Sequence, residues 1–106
     1  MTAYAVAHVR SVEFGPDIVE YLQRIDATLD PFQGRFLVHG GAEAVEGGWT
    51  GDVIVIEFPD QDALRGWYDS PAYRDILSLR TDHMVAETAF AQGVPTGYRA
   101  ADSLAH

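Results

Sequence analysis

The chain has 106 residues and a formal net charge of −9, with Lys+Arg 7 against Asp+Glu 16. This length suits one domain, and the acidic balance without a basic patch argues against nucleic acid and anionic membranes as partners. Cysteine and Lys are absent, which excludes disulfides, thiolate chemistry and Schiff-base lysines. No apolar run approaches the ~20 residues of a membrane span, and the first residues lack a signal-peptide pattern, so we expect a cytoplasmic protein.

The first half of the chain predicts a strand, a helix and a second strand. Apolar and polar residues alternate from Ala3 to Arg10, which is the period of a strand. Gly15-Pro16 opens a helix and Asp30-Pro31 ends it, because Pro suits an early helical position and disfavours a helical residue before it. The second strand covers Arg35 to His39, and Val45 to Trp49 forms a turn region.

The second half predicts a strand, a broken helical region and a last strand. The most β-prone run is Asp52 to Phe58, and Asp60 can cap the helix that follows. Ser70-Pro71 begins another helix, whose buried side holds Tyr73, Ile76, Leu77 and the stem of Arg80. Met84 to Ala91 is the last strand. We expect one domain over residues 1–93 and a tail over 94–106.

The order β-α-β-β-α-β predicts an α+β, ferredoxin-like domain with a four-stranded antiparallel sheet and its helices on one face. The helix-packed face is expected to hold Ala3, Ala5, Ala7, Val9, Phe36, Val38, Ile54, Ile56, Phe58, Met84, Ala86 and Phe90. The opposite face is expected to hold Tyr4, Val6, His8, Arg10, Arg35, Leu37, His39, Val53, Val55, Glu57, Val85, Glu87 and Ala89. Because this second face is half apolar, we expect a second copy to cover it in a homodimer, a dimeric α/β barrel with a pocket between the sheets. The alternative is a monomer whose charges pair across the open strands.

Several segments together resemble one family. They are Gln33 to Gly41, Val45 to Trp49, Ile56 to Pro59, Trp67 to Tyr73 and Leu79-Arg80. In this order they resemble the domain of unknown function 1330 (DUF1330) family, within the dimeric α/β-barrel superfamily. The resemblance implies a ferredoxin-like fold and a dimer, whereas the family itself has no assigned activity. Better-known branches of the superfamily include cofactor-free monooxygenases, lactone isomerases and polyketide cyclases.

A polar cluster on the second face is the candidate catalytic site. His39 and Glu57 fall on neighbouring strands, where a carboxylate can orient an imidazole and raise its basicity as a general base. Arg35 shares that face and can clamp an anionic oxygen with its bidentate fork. The competing interpretation is structural: an interface histidine, and an ion pair from Arg35 to Glu46 or Glu57.

Aromatic residues supply the candidate walls of a pocket. Trp67 and Tyr68 either stack on a flat ligand or belong to the ordinary core, and Trp49 is either a dimer contact or a lid over the pocket mouth. His8 is a further candidate for substrate binding. No His–His spacing typical of a metal site occurs, and no nucleotide-binding glycine motif occurs, so we expect neither a metal nor a cofactor.

These features leave three functional hypotheses. The first is a cofactor-free enzyme that performs proton transfer, isomerisation or oxygenation on a small metabolite, with His39 as acid/base and Glu57 as its partner. The second is a non-catalytic binding or assembly module, in which the same polar groups fix the register of the dimer. The third is a sensor that binds a small-molecule ligand without converting it.

Overall fold

The computed structural model describes residues 1–105, which form a four-stranded antiparallel sheet with its helices packed on one face. The strand order is β2-β3-β1-β4, so β1 and β3 occupy the middle of the sheet. This is the predicted ferredoxin-like arrangement. The elements are β1 (Ala3–Val12), α1 (Pro16–Leu29), a 3-10 turn (Asp30–Phe32), β2 (Arg35–Gly41), β3 (Asp52–Phe58), α2 (Gln61–Tyr68), α3 (Pro71–Thr81), β4 (Met84–Gln92) and a 3-10 turn (Ala100–Ala105).

Local capping signals fix the starts of the two later helices. The Asp60 side chain accepts a hydrogen bond from the Ala63 amide at 2.8 Å, at the start of α2. The Ser70 hydroxyl accepts one from the Tyr73 amide at 3.3 Å, and Pro71 follows as the first helical residue of α3. These caps satisfy amides that the helix itself leaves without partners, which confirms the two predicted helix starts.

The hydrophobic core lies between the helices and the sheet. Phe58, Leu64 and Ile76 are completely buried, and Tyr73 and Trp67 pack against them. A large side chain buried in this way stabilises the fold by about 1.5–3 kcal/mol relative to its exposed state. The core therefore joins β3 to both α2 and α3 and fixes where these helices stand over the sheet.

A β-bulge in β2 changes which side chains face the helices. Phe36 pairs with Ile56, but the next pair along the strand is Val38 with Val55, so Leu37 is the extra residue. An extra residue shifts every later side chain to the other face. The predicted faces of Val38 and His39 are therefore wrong: Val38 lies on the face away from the helices, and His39 on the helix side.

The pairing between β1 and β4 continues one residue beyond the end of β4. The Gly93 amide donates to the Thr2 carbonyl oxygen at 2.7 Å, which extends the pairing of β1 with β4 by one step. The separation of a domain over residues 1–93 from a tail over 94–106 stays a prediction. Among residues 1–105, no helix is long and apolar enough to cross a membrane.

Candidate functional site

A cavity lies between the helices and the sheet, on the opposite face of the sheet from the predicted pocket. The centres of water-sized molecules can occupy about 80 Å³ of this cavity, within about 720 Å³ of protein-free space that includes open solvent. Ala5 and Ala7 of β1 leave room that larger side chains would fill, and Ala7 is only half-buried. The lining residues are Ala5, Ala7, Val9, Ile18, Tyr21, Leu22, Ile25, Phe36, His39, Ile54, Ile56, Trp67, Tyr68, Tyr73, Arg80, Met84, Thr88 and Phe90.

Two tyrosines and an arginine form the polar part of this cavity. The hydroxyls of Tyr21 and Tyr73 are 2.8 Å apart and both side chains are buried. The guanidinium carbon of Arg80 lies 5.9 Å from the centre of the Tyr21 ring. Helical spacing explains the cluster, because Arg80 falls two turns after Tyr73 on the same side of α3.

The environment of this cluster determines its protonation. Burial raises the pKa of Tyr21 far above its ordinary value, and the neighbouring Tyr73 raises it further, so its hydroxyl stays protonated at neutral pH. Burial alone lowers the pKa of Arg80, but the hydroxyls of Tyr73 and Tyr21 outweigh it and the net direction is upward. The cluster thus combines a fixed positive charge with hydroxyl donors.

The predicted pairing of His39 with Glu57 is wrong. His39 is opposite Ile54, and its ring contacts Phe36 edge-on at 5.1 Å between centroids. Glu57 lies on the other face of the sheet, since the bulge at Leu37 has reversed the direction of His39. The imidazole is exposed at the rim of the cavity, where a ligand could reach it.

Arg35 and Glu57 pair with each other, as the structural interpretation of Arg35 expected. The Arg35 Nε donates to Glu57 Oε1 at 2.7 Å across the neighbouring strands. Arg35 remains largely exposed, whereas Glu57 is half-buried. On the same face, Arg10 pairs with Glu87, which lowers the pKa of the Glu87 carboxyl.

Trp49 and His8 form a second pair on this open face of the sheet. Their rings stack with centroids 3.8 Å apart and planes inclined by 18°. His8 Nε2 donates to the Thr50 carbonyl oxygen at 2.7 Å, so the loop before β3 is held against the middle of β1. The structure therefore places both residues away from the cavity.

Trp67 and Tyr68 do line the cavity, although it is not the predicted one. Trp67 is only 3% exposed, and its ring lies 4.1 Å from that of Tyr73. Its Nε1 donates to the Thr28 hydroxyl at 3.0 Å, so its polar atom is already used. Tyr68 lies beside Phe90, edge-on at 5.3 Å. Both residues are walls of an aromatic chamber.

Sequence reasoning missed Tyr21, Tyr73 and Arg80 as functional candidates. It placed Tyr73 and the stem of Arg80 on the buried side of their helix and gave neither a functional role. The signal that could have found them is the buried position itself, because an arginine at an apolar helical position must meet polar partners.

Beside the cavity, His83 links three elements through two carboxylates. Its Nδ1 lies 3.1 Å from Glu13 Oε1 and its Nε2 lies 2.9 Å from Asp17 Oδ2. Ionised carboxylates only accept hydrogen bonds, so the protonated ring, in which both nitrogens donate, satisfies both contacts at once. The hydrogen bond to Asp17, then that to Glu13, raises the pKa of His83 above its ordinary value of 6.5. Among residues 1–105, no three metal-binding side chains converge on one point.

This cluster makes stability depend on pH. A raised pKa means that the stabilisation is complete below about pH 6.5 and is lost as the pH rises through the raised value. We therefore expect the free energy of unfolding to fall from neutral to alkaline pH in the native chain, and to fall less in His83→Gln. Urea unfolding between about pH 5.5 and 9 measures the difference. The control is His39→Gln, which should keep the native slope; an unchanged slope in His83→Gln would contradict the assignment.

The fold and the cavity define a class: a ferredoxin-like α+β domain with an aromatic chamber between sheet and helices. The model of the domain of unknown function family DUF1330 matches residues 2–94, and the chain belongs to this family. No curated protein matches the sequence.

Solved structures share this fold at low sequence identity. A protein of unknown function from Rhodopseudomonas palustris has a TM-score of 0.66 at 15% identity, over 89% of this chain and 83% of that chain. A dimeric ferredoxin-like protein of unknown function from a Jannaschia species has a TM-score of 0.69 at 10% identity, over 88% and 100%. SnoaB, a cofactor-independent oxygenase from Streptomyces nogalater, has a TM-score of 0.54 at 15% identity, over 92% and 96%. At these identities the likeness establishes the fold alone.

Proposed function

We propose that this protein binds a small, flat organic molecule in the cavity and performs acid/base chemistry on it without a cofactor. The observation that carries the proposal is the cavity itself, which has apolar and aromatic walls and few polar groups. Such concave, mostly apolar chambers with a few convergent polar atoms are typical of small-molecule sites. The cofactor-independent oxygenase with the same fold supports this choice of reaction class.

In this proposal His39 is the acid/base and Trp67 and Tyr68 are the walls. The imidazole at the rim removes a proton from a carbon beside a carbonyl group. The C–H bond breaks, its electron pair forms the enolate, and the proton moves to a ring nitrogen. The same step begins proton transfer, isomerisation and oxygenation, so it can be tested before the natural substrate is identified. Glu57 has no role in this step because it faces away from the cavity.

Exchange of the α-protons of beta-tetralone in deuterium oxide, followed by proton NMR, tests binding and chemistry together. We expect the protein to accelerate exchange over buffer, and His39→Gln to lose about a hundredfold of that acceleration, since general-base catalysis contributes about 10²–10⁴. Binding, measured by saturation-transfer NMR, should survive in His39→Gln. Ala7→Leu should abolish both readouts, because the longer side chain fills the cavity.

The matched control for Ala7→Leu is Ala72→Leu, at an exposed position of α3, which should keep both readouts. If beta-tetralone binds but its exchange is not accelerated, the acid/base assignment is wrong. Should Ala7→Leu bind as tightly as the native chain, the cavity is not the binding site.

We also propose that a second copy covers the open face of the sheet. Leu37, Val38 and Val85 are between 42% and 59% exposed there, which is unusual for three apolar residues on one sheet face. The neighbour from the Jannaschia species is dimeric, which supports the same assembly here. The Arg35–Glu57 and His8–Trp49 pairs would then lie at the interface and fix its register rather than hold a substrate.

A further inference from the structure

We propose that Arg80, together with Tyr21 and Tyr73, forms an anion subsite in the cavity, and that the ligand is a planar aromatic carboxylate. This inference rests on the proposed function, because it assumes that the cavity is occupied. It adds the charge of the ligand and the end of the cavity at which that charge lies.

The charge distribution around the cavity is the first argument. The chain carries Asp+Glu 16 against Lys+Arg 7, yet within residues 1–105 Arg80 lines the cavity and no carboxylate does. Although the molecule is acidic, the charged side chain that lines this chamber is thus a guanidinium. A cationic or strongly basic ligand would find no partner there, whereas an anion would.

The pairing of the arginines is the second argument. Carboxylates of the chain pair with Arg10, Arg24, Arg35 and Arg74. Arg65, Arg80 and Arg99 have no carboxylate within salt-bridge distance among residues 1–105, and of these three only Arg80 is half-buried, whereas the other two are exposed. Removing a guanidinium from water without a counter-charge is costly, so the free protein leaves a favourable interaction for an anion to make.

The hydrogen-bond inventory is the third argument. Arg80 can only donate, and the two tyrosine hydroxyls have two hydrogens, of which their mutual 2.8 Å bond uses one. The cluster therefore offers a ligand several donors, a pattern that suits the oxygens of a carboxylate. The N–H group of Trp67 does not add a donor for the ligand, because it already donates to Thr28.

The walls select the rest of the ligand. The rings of Trp67, Tyr68, Tyr73 and Phe90 line the same chamber. Aromatic walls favour flat ligands, through offset and edge-on contacts between rings. A flat ring system with one carboxylate thus matches both the walls and the polar end.

A matched pair of probes tests the charge. Beta-naphthoate and beta-naphthamide have nearly the same shape, but only the first is an anion at neutral pH. We expect calorimetry to show that the native chain binds the carboxylate at least about tenfold more tightly than the amide. Arg80→Met keeps much of the stem and removes the charge, so it should bind both probes alike, at about the native affinity for the amide.

Arg24→Met is the control, since Arg24 is exposed on α1, pairs with Glu20 and does not line the cavity. It should retain the native preference. If Arg80→Met fails to fold, Arg80→Gln and the two affinities of the native chain still decide the question. Equal affinities of the native chain for the two probes would overturn the anion subsite and leave the proposed function standing. Binding of neither probe, together with no binding of beta-tetralone, would overturn the proposed function as well.

Discussion

Gly51→Ala is expected to lower the free energy of unfolding by about 3 kcal/mol or more. Gly51 has a φ of +85°, a conformation that costs a residue with a side chain about 1–2 kcal/mol. A Cβ atom there would overlap the Val9 carbonyl oxygen, so the backbone of β1 or of the loop must also move. Val9 is buried in the central strand, which leaves little freedom for that movement.

Gly47→Ala separates the two contributions. Gly47 has a similar φ of +76°, but no atom of residues 1–105, its two chain neighbours aside, lies within 4 Å of the Cβ position. It should therefore show only the conformational cost, about 1–2 kcal/mol. Urea unfolding of the two variants and the native chain gives the comparison. Equal losses in both variants would mean that the contact between Gly51 and Val9 does not constrain the fold.

The close approach of Gly51 to Val9 has a consequence for the open face. Thr50 and Trp49 immediately precede Gly51, and both contact His8. Because Gly51 has no side chain, the loop before β3 can pack against the sheet, which places the Trp49 ring over the His8 ring. In Gly51→Ala we expect this stacking to change, so the tryptophan emission spectrum should differ from that of the native chain even under conditions in which the variant remains folded.

Local signals predicted most of the fold. The caps at Asp60 and Ser70 act within three residues of themselves, so the sequence alone indicates where α2 and α3 begin. The alternation from Ala3 to Arg10 indicated β1, and the run of β-branched residues between Asp52 and Phe58 indicated β3. The order of elements then left few topologies, and the ferredoxin-like one was among them.

The candidate site could not be predicted in the same way. The face of His39 depends on one extra residue at Leu37, and a bulge depends on the pairing with β3 rather than on the local sequence. The cavity depends on how far α1 and α3 stand from Ala7, which is a property of packing across the whole domain. Sequence periodicity assigned each residue to one side of its helix or strand, but it could not show where the helices and the sheet leave a cavity between them.

The open face could not be predicted from packing within one chain, because in the proposed assembly a second copy covers it. Its central row consists of Val6, Val55 and Val38, which lie opposite one another on three neighbouring strands. None of the helices in the described part of the chain covers this row, and Val38 is 42% exposed. In a symmetric dimer each of these residues would be buried in both copies.

Val38→Asp should therefore dissociate the proposed dimer and leave the chain folded. In a monomer the new carboxylate would reach water. At a symmetric interface two such carboxylates, one from each copy, would be buried without a counter-charge. We expect the dimer to weaken by at least about a hundredfold, since each unpaired buried charge costs several kcal/mol. Sedimentation velocity at micromolar concentration should show twice 11.6 kDa for the native chain and 11.6 kDa for the variant.

Val45→Asp provides the matched control, because Val45 is 83% exposed in the loop before β3 and lies outside the sheet. It introduces the same charge and should remain a dimer. A native chain that sediments as a monomer would refute the proposed assembly, and a dimeric Val38→Asp would move the interface to another face. Ligand binding in the cavity should persist in the monomeric variant, because the cavity and the open face lie on opposite sides of the sheet.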